Sequence, residues 1–319
     1  MSDSTVEAPA LTPIATADSI APSRSLQITV LLFGVFACAT SVIFLKKSDT
    51  HPYWLSGIRV LIAAAALSPL YWRELKKARG LGRRFAWGVL PGAALLAAHF
   101  IAWTWGSRHT SAVNGSLLVN LAPAVMPFTM WLMNRERVSR GEIAGTLVSM
   151  VGVMILIGAN YKFAPEHLKG DVVCFLAMVL FCFYIALGRR YGMARNLWLY
   201  VVPLYAITGV LCLCTAVATG APRPTLTWHE IAMLTCLGLI PTVIGHSSLN
   251  WCIKHMRGQI VSTVNLGQFI FAGFLAYVFL SRELPDAWFY PASVLIVLGS
   301  VLVIRAHRTP AVATVDPES

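Results

Sequence analysis

Polar positions in this chain gather in short clusters between long apolar runs. Ten runs can be read, at about 27–45, 53–72, 85–105, 111–133, 141–158, 170–188, 197–219, 229–252, 257–280 and 286–304. Each approaches the ~20 apolar residues an α-helix needs to cross a bilayer. In lipid no water satisfies a backbone N–H, so each run must bond within itself as a helix. The ten-residue alternating segments of a membrane β-barrel are missing. The pattern therefore predicts an all-α polytopic membrane protein with ten transmembrane helices.

Composition narrows the classes further. Apolar residues make up 57% of the 319, charged residues only 12%, and mean hydropathy is +0.67. A soluble globule of this size cannot hide that much apolar surface, which excludes a soluble enzyme, a secreted disulfide scaffold and a disordered chain. The net charge of +11 does not point to nucleic acid, because the basic residues sit in the gaps between runs. There they encode orientation. With the N-terminus cytoplasmic, 17 Lys and Arg fall on the inside, seven on the outside, and Arg59 lies within a run. Both termini are thus expected in the cytoplasm of a cell with an inner (plasma) membrane. Residues 1–26, rich in Ser, Thr, Ala and Pro and without a basic n-region, read as a disordered cytoplasmic tail rather than a cleaved signal. Residues 306–319 read as a second tail. All seven cysteines fall inside apolar runs, where packing is the expected role. No Cys/His cluster has metal spacing and no nucleotide loop is present, so neither metal nor cofactor is expected.

The chain also repeats. Shifted by 147 residues, the runs of the two halves coincide. His99 falls on His246, Arg135-Glu136 on Arg282-Glu283, Gly152 on Gly299 and Ile157 on Ile304. Five helices is an odd number, so the second half must insert upside down. Residues 27–160 and 170–305 are then two inverted five-helix repeats, an arrangement typical of transporters.

These residues resemble the EamA-type branch of the drug/metabolite transporter superfamily. The resemblance is carried by PYWLSGIR from Pro52 to Arg59, HFIAW from His99 to Trp103, LVNLAP from Leu118 to Pro123, the Arg-Glu pairs after the fourth and ninth runs, and GHSSLNW from Gly245 to Trp251. It covers about residues 27–305. It implies alternating-access transport of a small-molecule substrate, commonly outward, with the substrate held by the third, fourth, eighth and ninth helices. Amino acids, other metabolites or toxic compounds are the implied cargo. One departure stands out: on the 147-residue shift, the position matching Pro123 is Ile270, so no proline supports a matching break in the ninth helix.

Polar groups inside a bilayer are costly and usually face a cavity or a partner. His99 shares a helix face with Trp103, as His246 does with Asn250. Two histidines at matching repeat positions suggest a substrate cavity, the alternative being glue between helices. Arg59, about six residues inside the second run, reads either as a counter-charge for a substrate carboxylate or as a side chain snorkelling to the outer interface. Asn114 and the stripe of Ser116, Asn120, Pro123 and Pro127 mark the fourth helix. Each proline there frees a backbone carbonyl for substrate or for a neighbouring helix. Ser262, Asn265 and Gln268 mark the ninth. The expected substrate-binding set is His99, Trp103, Asn114, Asn120, Pro123, His246, Asn250, Asn265, Gln268 and Arg59.

Other features read more plainly. Gly141, Gly145 and Ser149 form a small-residue stripe suited to close packing within the bundle or to a homodimer seam. The Arg-Glu pairs read as solvated charges or helix caps. No acid lies deep in a run, so a carboxylate proton relay has no carrier. The reading is a secondary exporter of small metabolites, embedded in the bilayer, that binds no nucleic acid. An intramembrane histidine-dependent transferase or hydrolase would need a carboxylate or metal beside the histidines. A receptor or assembly protein would need a larger loop or tail than this chain has.

Overall fold

The computed structural model describes residues 22–78, 83–110, 112–160, 164–192, 196–281 and 286–306. Ten helices in it are long and apolar enough to cross a membrane. They are α1 Arg24–Lys47, α2 Pro52–Lys77, α3 Gly88–Arg108, α4 Leu117–Asn134, α5 Arg140–Ala159, α6 Leu168–Arg190, α7 Leu197–Ala218, α8 Trp228–His255, α9 Gly258–Phe279 and α10 Phe289–Ala306. Arg24, Leu26 and their neighbours thus extend α1 into the expected N-terminal tail, with Ser23 capping the helix start. The rest of that tail, the C-terminal one beyond Ala306, and Arg282-Glu283 lie outside the described residues. An even number of helices brings Arg24 and Ala306 to the same face of the bundle, here called the terminal face. Large apolar side chains such as Phe33, Leu147, Val151, Phe175, Val217 and Val297 point outward, as a lipid-facing surface requires.

The helices pair as an inverted repeat should. Packing joins α2 to α7, α5 to α10, α3 to α6 and α1 to α8. Exchanging the halves maps the first two pairs onto themselves and α3·α6 onto α1·α8. The register is visible atom by atom in α5 and α10. Ser149 Oγ donates to the carbonyl of Ile296 at 3.3 Å, so a residue bonds its own mate at a shift of 147. A Cβ on Gly152 would meet the Ala292 carbonyl at 2.7 Å, and one on its mate Gly299 would meet the Gly145 carbonyl and Ser149. The Gly141–Gly145–Ser149 stripe is therefore spent on α10 within the chain, with Gly141 against Ala306. It is not free to form a dimer seam. The ends of α3 and α8 repeat as well. His109 Nδ1 meets the Trp105 carbonyl and His255 Nδ1 meets the Trp251 carbonyl, both at 2.8 Å.

Helix α4 breaks at Asn120 and Leu121, between the helical pieces Ala112–Val119 and Ala122–Asn134. The turn is tightened by i→i−3 bonds from Leu121 N to Leu118 O and from Ala124 N to Leu121 O. Helix α9 breaks too, at Leu266, with the same bonds from Leu266 N to Thr263 O and from Phe269 N to Leu266 O. The missing proline at Ile270 does not prevent it. The break follows the triplet Val-Asn-Leu, which recurs at Val119–Leu121 and Val264–Leu266 with a local shift of 145. On that register Asn120 matches Asn265, and Pro123 matches Gln268 rather than Ile270.

Candidate functional site

A polar and aromatic cluster occupies the centre of the bundle. Its scaffold is α8, which runs as a π-helix from Gly238 to His246. Pro241 lies in this segment and has no N–H, which leaves one rung of the π register unmade; the Leu237 carbonyl, five residues before Thr242, has a second lone pair to offer. Thr242 Oγ1 donates to that carbonyl at 2.9 Å. With its proton committed, the hydroxyl can only accept, and it accepts from Arg59 Nε at 3.1 Å. The Arg59 guanidinium also lies over the Phe100 ring, 4.6 Å from its centroid. Its side chain is 1% exposed, so it does not snorkel to an interface. No carboxylate pairs with it among the described residues. The result is a central cation with one guanidinium face covered, one N–H used, and no acid beside it among the described residues.

The two histidines meet across the same aromatic pair. His99 lies 5.2 Å from Phe181, and His246 lies 5.4 Å from Phe100 and 6.4 Å from Phe181, between ring centroids. His99 is fixed by its Nδ1 on the Ala177 carbonyl of α6 at 2.8 Å. Asn250, one turn beyond His246, donates to the His246 carbonyl at 2.9 Å and accepts from Tyr184 Oη at 2.7 Å. Tyr205 and Ser247 extend the cluster through hydroxyls 3.3 Å apart. Arg59, His99, His246 and Asn250 are thus brought together from α2, α3 and α8. Thr242, Phe100, Phe181 and Tyr184 join them, and none of these four was singled out in the sequence. Pro241 was the available signal for Thr242, since a proline inside a membrane helix interrupts the backbone ladder beside it.

The other expected residues lie elsewhere. Asn114 is buried in a clasp at the face opposite the termini, where its amide reaches Asp171 at 3.4 Å and Thr110 Oγ1 reaches the same carboxylate at 2.5 Å. That clasp fixes the start of α6 to the start of α4, so Asn114 does not join the histidines. Glu230 makes a second clasp there, accepting from Ser48, Thr50 and the Asp49 N–H at 2.6–2.9 Å. Trp103 lines a vestibule of about 350 Å³ on that face with Leu55, Thr104 and Arg108. It lies one turn outward from His99, as Leu55 lies one turn outward from Arg59. Asn120 sits in the α4 break, while Asn265 and Gln268 bond each other across the α9 break at 2.5 Å. Pro123 contributes a carbonyl that Pro127 cannot bond, and Gln259 of α9 takes it at 3.2 Å while also donating to Thr146 at 2.6 Å. A neighbouring helix, not a solute, satisfies that group. Ser116 has no described side chain.

The Arg135-Glu136 pair departs from the solvated reading. Arg135 does cap α4, in the left-handed conformation at φ 57°. Glu136, however, reaches Arg189 Nε at 3.1 Å and Arg257 Nε at 3.2 Å. Glu142, which is buried, lies 3.0 Å from the same Arg257 Nε. The Arg257 N–H is directed at Glu136, so Glu142 contributes its charge. Its other oxygen accepts from the Ser139 N–H at 2.7 Å, closing a capping box at the start of α5.

Comparison with known proteins bears on this geometry. The model of the EamA-like transporter family matches residues 25–158 and again 168–305. An aromatic amino acid exporter, YddG, of Ancylobacter novellus is 25% identical over 72% of this chain and 78% of its own length. An uncharacterized transporter, YyaM, of Bacillus subtilis is 24% identical over 90% of this chain and 94% of its own. A probable terminal-alkyne amino-acid exporter of Streptantibioticus cattleyicolor is 25% identical over 73% and 78%. A protein of known crystal structure superposes with a TM-score of 0.75 at 19% identity, over 90% of this chain and all of its own, which speaks to the fold alone.

Proposed function

Because the chain belongs to the EamA-like transporter family and is a multi-pass membrane transporter of small molecules, we propose that it exports carboxylate-bearing metabolites, amino acids among them, across a bacterial inner membrane with both termini in the cytoplasm. One observation carries the choice of solute: Arg59 is a buried cation at the bundle centre with no acid beside it among the described residues. A guanidinium fork binds a carboxylate through two parallel charge-assisted hydrogen bonds. A solute's carboxylate completes the pair that the chain leaves open.

In this reading Phe100 and Phe181 pack against the apolar part of the solute, and His99, His246 and Asn250 offer hydrogen bonds around it. Ala177 holds His99 and Tyr184 holds Asn250 in place for this. Asn120 and Asn265 mark the two breaks, where the halves of α4 and α9 are free to tilt. Rocking one inverted half against the other then exposes the cluster to each face in turn. Differential binding to the two states shifts their populations. That two relatives are named as amino-acid exporters agrees with the zwitterionic class and with outward flux.

The test is proteoliposome counterflow over amino acids, other carboxylates, their amides and cationic dyes, with and without a pH gradient. Saturable exchange of carboxylates that amides fail to match supports the reading. Exchange confined to cationic dyes overturns it.

A further inference from the structure

The terminal face holds a cup of about 790 Å³ lined by Leu132, Met133, Asn134 and four arginines, Arg135, Arg189, Arg190 and Arg257, with Glu136 the one acid in its lining. We propose that Glu136 is a built-in carboxylate that bolts the two halves together at this mouth, and that the carboxylate of an entering solute displaces it from Arg189 and Arg257. This rests on the reading of the chain as a carrier of carboxylates.

The bolt joins the halves. Glu136 lies in the link between α4 and α5, in the first half. Arg189 ends α6 and Arg257 lies in the link between α8 and α9, both in the second. Side-chain exposure is 14% for Glu136, 28% for Arg189 and 23% for Arg257, so solvent screens the pairs only in part. Around them the same three segments are stitched by Arg257 on the Arg137 carbonyl, by Arg190 on the Met133 carbonyl at 3.0 Å and by Asn134 on the Ala186 carbonyl at 3.0 Å. A path between α4 and α9 cannot open at this face while these contacts hold.

The chemistry makes the bolt exchangeable. Arg189 is anchored within its own half by the Ile253 carbonyl at 2.7 Å, so it stays placed when Glu136 leaves, while Arg257 keeps the charge of Glu142 across the seam at 3.0 Å. Four arginines against Glu136 and the buried Glu142 behind Arg257 still leave the cup a net positive field that concentrates anions. A solute carboxylate that takes the place of Glu136 replaces one guanidinium–carboxylate pair with another, at little net cost. Unlike Glu136, a solute's carboxylate is not part of the first half. The exchange therefore removes two of the ion pairs across the seam and leaves the carbonyl stitches and the Arg257–Glu142 pair to part with less resistance.

Ser262 lies four residues into α9 from Gly258, about 6 Å beyond the mouth at 1.5 Å per residue, and a cysteine there reports on opening. Cys214 and Cys236, the two cysteines that are not buried, are first changed to Ser. An impermeant maleimide is then applied to the terminal face of vesicles. Labelling of Ser262→Cys is expected to rise about tenfold with Glu136→Gln, and equally with Arg189→Gln, which breaks the pair from the other side. Millimolar benzoate should speed labelling of the parent, benzamide should not, and benzoate should add nothing once Glu136 is Gln. An unchanged rate in both variants overturns the bolt, and benzamide acting as well as benzoate overturns displacement. Counterflow by the unaltered chain is scored separately. Flux with unchanged labelling discards the bolt alone, whereas a tenfold rise without carboxylate flux keeps the bolt and discards displacement.

Discussion

Replacing Arg59 with Gln removes the central cation while keeping a side chain of similar reach that can still donate to Thr242. No acid is paired with Arg59 among the described residues, so the change strands no buried carboxylate, and the bundle should insert and fold. What disappears is the charge-assisted bond to the solute. Hydrogen bonds to charged groups are worth about 1.5–3 kcal/mol, which at 1.4 kcal/mol per decade is roughly a 10- to 150-fold rise in the half-saturating concentration. The 1% exposure of Arg59 argues against the low end, since solvent does little to screen it. The assay is proteoliposome counterflow of one carboxylate and its amide under matched protein insertion. The carboxylate should lose 10- to 150-fold and the amide much less, so selectivity between them collapses. Arg59→Lys retains the charge without the fork and should fall between. If Arg59→Gln exchanges the carboxylate at its original half-saturation, Arg59 is a structural cation and the solute reading fails.

Further outcomes follow from the same contacts. Thr242→Val removes the acceptor that holds Arg59 and should raise half-saturation for carboxylates about tenfold at similar maximal flux, while Thr242→Ser restores it; equal effects on the amide would mean general damage. His99→Ala and His246→Ala should each lower flux with membrane insertion intact, and normal flux in both variants would remove the histidines from the site. Gly152→Val puts side-chain atoms where a Cβ already stands 2.7 Å from the Ala292 carbonyl. Overpacking of that kind costs about 1–3 kcal/mol, read as a lower melting temperature in detergent, and an unaltered melt would contradict the close α5–α10 approach.

The fold was legible because hydropathy and helix count are one-dimensional properties. Lipid forces each apolar run into a helix, and an odd number per half forces the inversion. The 147-residue shift reappears as the Ser149–Ile296 bond between repeat mates. The α9 break carries no proline to mark it in the sequence; a tight turn at Leu266, introduced by the same Val-Asn-Leu as in α4, does the bending. The pairing of His99 with His246 through Phe100 and Phe181 could be suspected from repeat positions, but the intervening rings could not, since each comes from a different helix face. Thr242 and Gln259 escaped notice for a related reason. Each donates to a backbone carbonyl, Thr242 in its own helix and Gln259 on a neighbouring one, and only the folded backbone shows which donor stands within reach. Glu136 looked solvated because its partners Arg189 and Arg257 lie more than fifty residues away in sequence.

That the central cluster is the way-station of a moving solute is tested most directly by placing a cysteine at His246 and probing it with an impermeant thiol reagent from each face of sealed vesicles. The account predicts modification from both faces, slowed from either side by a transported carboxylate. Modification from one face only, at a rate indifferent to any solute, would contradict it.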